Sequence, residues 1–381
     1  GYCIDVDTAG ETVIVGAPYS EVADGPTVTE DISLATYVQN FDVGSQDGDV
    51  RDVKFNTDGT KMFMLGRAGT SDVYEYTLTT AFDVSTASFV DSIDVGVGTL
   101  GASGSEGDNS GNSLEFNTDG TKLFVLGQGN DLVNEYALSA GFDVSTASFT
   151  RSLNIRPQEN LPYGLAFNND GTKMFITGRQ GNDVNEYVLT TGFDISTASY
   201  SQKFSLSNES ITRSSAVQFN SDGSIMYVLE GGTSGAGDNT IYQYTLTTEF
   251  DVSTASYTGK LFSVVTEEDK ARGFCFGDNE TQLYVAGWRG DDINQYTVSS
   301  STMFTDAGEA YLFHHIVERF TGDGTTTAFT TTNTLPSNIY IEVDGVKQVP
   351  ATGSFSSFDS DSSENRYTVS GNTITFRYRP T

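Results

Sequence analysis

Arginine and aspartate recur in glycine-rich segments that read GRAGTSD from Gly66, GRQGND from Gly178 and GWRGDD from Gly287, and the last of these holds the single tryptophan. Tryptophan and arginine are enriched at binding hot spots, and an exposed indole can stack on a sugar ring while arginine and aspartate bind its hydroxyls. We therefore predict a ligand-binding surface for a glycan; the alternatives are a packed tryptophan and segments that vary only because nothing constrains them. The candidate residues are Arg67, Arg179, Trp288, Arg289 and Asp291.

Acidic side chains in these and neighbouring segments could bind calcium through carboxylate and carbonyl oxygens. The candidates are Asp47, Asp183, Asp291 and Asp292. None follows the spacing of an EF-hand loop, and Asp side chains also cap turns locally. We expect most of them to stabilise turns, and calcium is the only cofactor that the sequence suggests.

Residues suited to catalysis are scarce. The chain has 2 histidines, the neighbours His314 and His315, and adjacent residues of a strand point to opposite faces. The positions just before each repeated phenylalanine carry one acid among Lys54, Glu115, Ala166, Gln218 and Cys275. We predict that the protein is not an enzyme; a polysaccharide-cleaving enzyme with paired carboxylates is the less favoured alternative.

Two phrases repeat along the chain and define its architecture. FNTDGTK begins at Phe55 and Phe116, with FNNDGTK from Phe167, and FDVSTASF begins at Phe82 and Phe142. Asp-Gly between alternating apolar runs predicts a tight hairpin. With the runs that flank both phrases, each copy supplies four short strands. Tandem four-stranded copies at this period are typical of the blades of a β-propeller.

The number of blades follows from the strands that close each copy. Leu34–Val43 and the segment from Ala310 resemble closing strands, which gives six blades if Ile4–Pro18 opens the first; five is the alternative. The predicted fold is therefore all-β, with a propeller over residues 1–318. A small β-sandwich-like module follows over residues 319–381.

Cysteine usage adds a hypothesis about the seam of the ring. Cys3 and Cys275 would lie on the inner strands of the first and last blades. They could form a disulfide that closes a ring without the usual strand exchange between its ends. Two unrelated buried thiols are the alternative.

Four resemblances extend this interpretation. DGTKMFMLG resembles the hairpins of YVTN-type and TolB-type propellers, and IDVDTAGETVIVGAPYSE resembles an FG-GAP repeat. FTGDGTTTAFT, IYIEVDGVKQV and YTVSGNTITF, in that order near the end of the chain, resemble a β-module of bacteriophage tail fibres. The repeat array also resembles those of marine phages and bacteria. These likenesses imply a propeller and a viral structural or attachment protein.

The charge balance limits the partners. Lys and Arg number 20 against 51 Asp and Glu, a formal net charge of −31, which disfavours nucleic acid and anionic membranes. We expect that the protein does not insert into membranes. It should lie on a virion surface or, alternatively, outside a bacterium or on the bacterial surface. The expected function is attachment to a host glycan or protein receptor, with an adhesin or lectin propeller as the alternative. The C-terminal module would bind other virion proteins, and a homotrimer is a further expectation.

Overall fold

The computed structural model describes residues 31–96, 110–232, 239–278 and 280–298 with their side chains, and the backbone of one strand before and seven strands after them. It divides into two compact units, one comprising Glu30–Ser300 and the other Gly1–Thr29 with Ser301–Thr381. The ring lies in Glu30–Ser300, a narrower span than the predicted 1–318. Among the described residues, no helix has the length and apolar character of a membrane span.

Five antiparallel sheets of four strands make up the larger unit. The strands of the first three are β3 Val50–Phe55, β4 Lys61–Gly66, β5 Asp72–Leu78, β6 Ala87–Asp94, β7 Gly111–Phe116, β8 Lys122–Gly127, β9 Leu132–Leu138, β10 Ala147–Asn154, β11 Pro162–Phe167, β12 Lys173–Gly178, β13 Asp183–Leu189 and β14 Ala198–Ser205. Those of the last two are β15 Ser214–Phe219, β16 Ile225–Glu230, β17 Thr240–Leu246, β18 Ala255–Ser263, β19 Ala271–Gly277, β20 Gln282–Gly287, β21 Asp292–Thr297 and β2 Thr36–Asp42.

Burial along each sheet shows which strand faces the axis. In the first sheet, β3, β4 and β5 are almost wholly buried, while β6 is mostly exposed. The innermost strands contact one another in the cyclic order β3, β7, β11, β15, β19 and back to β3. Five sheets arranged in this way around an axis form a five-bladed β-propeller.

The ring closes by strand exchange. The N-terminal strand β2 pairs antiparallel with β21, from Thr36 opposite Thr297 to Asp42 opposite Asp292, and so completes the fifth blade. The predicted closing strand at Leu34–Val43 is therefore confirmed, but it belongs to the last blade and opens no blade of its own. The count of six blades was wrong and the alternative of five is correct. The idea of a ring without strand exchange was wrong as well.

The segment from Ala310, counted as a sixth closing strand, lies in a different sheet. Its strand β23 Glu309–Phe313 pairs with β22 Ser300–Asp306 in a three-stranded sheet with β1 Thr27–Glu30. The predicted opener Ile4–Pro18 lies outside the described residues. The described closing strands of the blades are mostly exposed, and such a pattern does not reveal the sheet that a strand joins.

The two repeated phrases are conformational partners within the first four blades. Gly59 has a φ of +70°, and a side chain there would collide with the ring of Phe82, whose Cδ2 lies 2.3 Å from the position a Cβ would take. The Phe82 N–H donates to the Gly59 carbonyl at 3.0 Å. After it, Asp83 caps a 3₁₀ turn, Val84–Thr86, by accepting from Ser85 N–H. The glycine corner and the FDVSTAS phrase therefore repeat together because each fits the other.

A latch joins neighbouring blades at four of the interfaces between described residues. Glu75 on β5 forms a 2.6 Å ion pair with Lys61 and accepts from the N–H of Val144, in the 3₁₀ turn of the second blade, at 3.1 Å. Lys61 also donates to the Phe142 carbonyl of that blade at 2.6 Å. A glutamate or glutamine on the third strand accepts from the corresponding turn at three more interfaces, through Glu186 to Val252, Gln243 to Ile32 and Gln295 to Val84.

Apolar side chains fill the spaces between neighbouring blades. Five buried clusters lie at the five interfaces. The cluster at the seam combines residues of the first and fifth blades, among them Val53, Met64, Tyr284 and Ile293. The seam is therefore packed like the other interfaces.

The C-terminal strands form one further sheet. Its order is β24 Ala328–Thr330, β28 Thr373–Phe376, β27 Arg366–Ser370, β26 Val346–Pro350 and β25 Ile341–Val343. Strands β26 and β27 are parallel and the other pairs are antiparallel. All-β structure is thus confirmed for these strands, whereas the sandwich-like packing predicted for 319–381 stays a prediction.

The latch yields a stability prediction. Glu75→Ala removes the partner of Lys61 and the acceptor of the Val144 N–H, so we expect a loss of about 3 kcal/mol or more in the free energy of unfolding. The double variant Lys61→Gln with Glu75→Gln copies the Gln282 and Gln295 pair of the fifth blade and should lose less than about 1 kcal/mol. Urea unfolding measures both; equal losses would contradict this role for the latch.

Candidate functional site

The ring has two chemically different ends. The blade linkers and the loops between second and third strands share one end, here called the linker face, because strands alternate in direction. The Asp-Gly corners lie at the other end, the corner face. The structure places Arg67, Arg179, Trp288, Arg289 and Asp291 in loops of the linker face, as the sequence predicted.

Every innermost strand carries a β-bulge near its linker-face end. In the first blade the register shifts between Val50 and Asp52, and the same shift recurs in the other four blades. Bulges re-aim side chains and are common beside functional sites. The five extra residues, here called the bulge ring, are all buried: Arg51, Asn112, Tyr163, Ser215 and Arg272.

Three arginines from loops and linkers join the two of the bulge ring. Arg51 binds Asp49 at 2.6 Å, and Arg67 lies 3.6 Å from the same carboxylate. Arg67 also donates to the Asn112 side-chain oxygen at 3.1 Å. Arg179 lies over the Tyr163 ring, 4.2 Å from its centroid. Together with Arg213 and Arg272 these side chains form what we call the arginine cluster: Arg51, Arg67, Arg179, Arg213 and Arg272.

The members of the arginine cluster repel one another. Burial and the charges of Arg51 and Arg179 lower the pKa of Arg272 to about 10. Burial likewise lowers the pKa of Arg179, with contributions from Arg213 and Arg67. Burial and the charge of Arg67 lower the pKa of Arg51 despite its bond to Asp49. Repulsion makes this concentration of positive charge unfavourable. It nevertheless occurs in a protein whose net charge is −31.

At the corner-face end of the channel, polar and charged side chains bind one another. Lys54 and Glu115 form a 2.6 Å ion pair, and Gln218 donates to Glu115 at 3.3 Å. Burial alone would lower the pKa of Lys54, but Glu115 and Asp52 hold it above its usual value. Burial raises the pKa of Glu115 and outweighs the effect of Lys54. A pocket of about 190 Å³ opens beside this pair, between Phe55, Thr57, Phe116 and Phe142.

The second buried acid near the axis is also occupied. Asp52 accepts from the Ser113 hydroxyl at 2.6 Å and from the Leu114 N–H at 3.0 Å. Burial raises its pKa, and Lys54 and these hydrogen bonds oppose the rise. Asp52 and Glu115 thus bind protein groups on the inner strands, as expected of structural carboxylates.

Linker carboxylates stabilise the turn at the end of the second strand in the first, third and fifth blades. Asp47 accepts from the N–H groups of Asp49 and Ala68, and Glu159 and Glu268 serve the same purpose in other blades. A side chain at Gly66 would overlap the Asp47 carboxylate. The local role of Asp47 is therefore to cap a turn.

Two of the other calcium candidates, Asp183 and Asp292, also have protein partners. Asp183 accepts from Asn185 and Lys203, each at 2.7 Å. Asp292 accepts from Asn40 and Asn294, while Asp291 occupies a left-handed turn with a φ of 52°. Within the described residues, no group of three or more metal-binding side chains occurs. Calcium at these positions stays a prediction that nothing in the geometry strengthens.

Trp288 and Arg289 lie apart from the arginine cluster in their contacts. Trp288 is 42% exposed, and the Lys270 ammonium lies 4.1 Å from the centroid of its ring. Arg289 binds Asp269 at 2.7 Å. The indole therefore keeps an accessible surface, with a cation already on one face.

Sequence reasoning found two of the five clustered arginines, Arg67 and Arg179. It missed Arg51 and Arg272 because it compared the position before each repeated phenylalanine, not the position four residues before it; Arg213, in the linker before β15, lies outside both columns. That second column reads Arg51, Asn112, Tyr163, Ser215 and Arg272. Its variability within an otherwise constant repeat is the signal that could have revealed the site.

No protein-family model matches the chain, and no curated protein does. Among solved structures, a protein 14% identical, titled a putative 6-phosphogluconolactonase from Bacteroides fragilis, covers 82% of this chain and 95% of its own with a TM-score of 0.44. A β-propeller domain from Myceliophteria thermophila is 10% identical over 70% of this chain and all of its own, with a TM-score of 0.40.

A third similar structure is a Lactobacillus plantarum protein, 17% identical over 71% of this chain and 74% of its own, with a TM-score of 0.41. All three scores are below 0.5. The propeller is therefore assigned from the sheet topology, and these likenesses carry nothing about ligand or activity.

Cys275 yields a prediction about thiols. It is a buried free thiol, and burial raises its pKa, so it should be inert in the folded protein. Its predicted partner Cys3 lies outside the described residues, and the disulfide stays a prediction, now without the open seam that suggested it. We expect unreduced protein in denaturant to release two titratable thiols with Ellman's reagent. A count of zero would establish the disulfide.

Proposed function

We propose that the protein is a tail-fibre-type virion surface protein that attaches to a host-surface glycan through the linker face. The arginine cluster carries this proposal: five guanidinium groups converge on one end of the ring channel, while Asp49 is the only carboxylate among the described residues that forms an ion pair with any of them. Loops held by a rigid scaffold are the usual carriers of recognition.

The proposal of a binding role without catalysis rests on the inner strands. Glu115 is committed to Lys54, and Asp52 to Ser113 and Leu114. Glycoside hydrolysis needs a carboxyl pair free to act on the substrate. The contacts of these two acids favour attachment over cleavage.

The viral assignment is supported by the three phrases near the C-terminus that resemble a tail-fibre module. The matching strands β24, β26, β27 and β28 belong to one sheet. In this proposal that sheet binds other virion proteins or further copies of the chain. A bacterial adhesin or lectin with the same ring is the alternative, and immunogold labelling of virions with an antibody to the chain would separate the two.

A glycan array tests the attachment role. We expect wild-type protein to bind a subset of surface glycans, and Arg67→Gln with Arg179→Gln to bind at least tenfold more weakly because two charge-assisted contacts are lost. The matched control is Arg151→Gln, since Arg151 lies on the outer strand β10 and pairs with Asp194. Equal weakening in both variants, or no binding by the wild type to any glycan, would contradict the proposal.

Trp288→Ala tests whether the site extends to the outer loop. Because Trp288 lies in a loop of the same face and keeps 42% of its surface exposed, we expect a further loss in binding if the glycan reaches it. Unchanged binding in Trp288→Ala, alongside a loss in the arginine variants, would confine the site to the channel mouth.

A further inference from the structure

Two buried arginines lie side by side at the channel mouth. Arg51 and Arg272 occupy the same bulge position on β3 and β19, which are neighbours in the ring. Only 4% of Arg51 and 6% of Arg272 is exposed. Two like charges buried on adjacent strands are costly, and their placement on a re-aimed bulge indicates a role other than packing.

Their hydrogen-bonding capacity is only partly used. Arg272 donates to the backbone carbonyls of Gly232 at 2.9 Å and Ala271 at 3.4 Å, and within the described residues it has no carboxylate partner. The Nε groups of Arg51, Arg179 and Arg272 are buried, and none of them has a hydrogen-bond partner there. Buried donors of this kind are nearly always satisfied in native proteins, so three at one place point to a ligand that accepts hydrogen bonds.

Neutral groups complete the surroundings. Asn112 donates to the Pro162 carbonyl at 2.8 Å and accepts from Arg67, which holds its amide between two blades. Tyr163, buried on the next inner strand, is covered by Arg179 at 4.2 Å. The arginine forks, the amide and the phenol ring together match a planar or tetrahedral oxyanion attached to a sugar.

We propose that the bulge ring and the arginine cluster form an anion site that binds the sulfate or carboxylate group of an acidic saccharide. The saccharide part rests on the attachment function proposed above, whereas the anion site rests on the arginine geometry alone. An isolated anionic group is favoured over a dense polyanion because the net charge of −31 repels long polyanions everywhere outside this recess.

Calorimetric titration with three monosaccharides tests the site directly: galactose, galactose 6-sulfate and glucuronic acid. We expect one or both acidic sugars to bind at least tenfold more tightly than galactose. Arg272→Gln should reduce that preference at least tenfold, and Arg179→Gln should do the same. Arg151→Gln, the control on the outer strand, should leave it unchanged.

Inorganic sulfate and heparin separate the two levels of the proposal. If sulfate binds in an Arg272-dependent way but no saccharide does, the anion site stands and the attachment function falls. If sugars bind with no preference for an anionic group, the attachment function stands and this inference is overturned. Heparin binding tighter than galactose 6-sulfate would overturn the choice of an isolated group.

Folding of the variants is checked by thermal unfolding in chloride buffer. Arg179 is only half-buried, so Arg179→Gln should fold even if Arg272→Gln does not, which keeps the test decisive. A folded Arg179→Gln variant that retains the full preference for acidic sugars would overturn the proposal.

Discussion

The contact between one blade and the 3₁₀ turn of the next governs the whole ring. A single blade has two apolar faces and cannot bury either alone, so the angle between neighbours must be fixed by something directional. The latch supplies this direction because a buried Glu or Gln accepts from a backbone N–H across the interface. The apolar clusters then bury surface between the blades and need not set the angle between them. With the angle fixed, the linkers of all five blades converge at one end of the channel.

Much of this fold could be predicted from the sequence, because the repeated segments contain the residues whose conformations are most constrained. Gly59 needs a positive φ, Asp83 caps a turn, and Phe82 covers the glycine. Each role requires a particular residue type, so the same residue recurs at a fixed position of the repeat. The blade count was harder, because the closing strand carries a pattern of exposed alternation that says nothing about its neighbours. Which sheet β2 joins depends on where the ring ends, and that is a property of all five copies together.

Only part of the candidate site could be predicted from the sequence, for a related reason. Arg67 and Arg179 lie in loops whose composition attracts notice, whereas Arg51 and Arg272 sit inside strands that otherwise repeat a structural pattern. A bulge cannot be read from one copy, since the extra residue looks like a member of the strand. The structure shows that the same irregularity occurs five times, and that the extra residue is arginine in two blades and asparagine, tyrosine or serine in the others. Constant backbone with variable side chains is how a repeat scaffold separates stability from recognition.

Strand β2 has a consequence for the order of events during synthesis. Its Asn40 is bonded to Asp292, 252 residues further along the chain, so the segment leaves the ribosome long before its partner exists. Until then it is an unpaired edge with aromatic and β-branched side chains, the kind of segment that chaperones engage and that neighbouring chains can capture. Ring closure therefore waits for the synthesis of β21, and until then β2 is open to pairing with another copy.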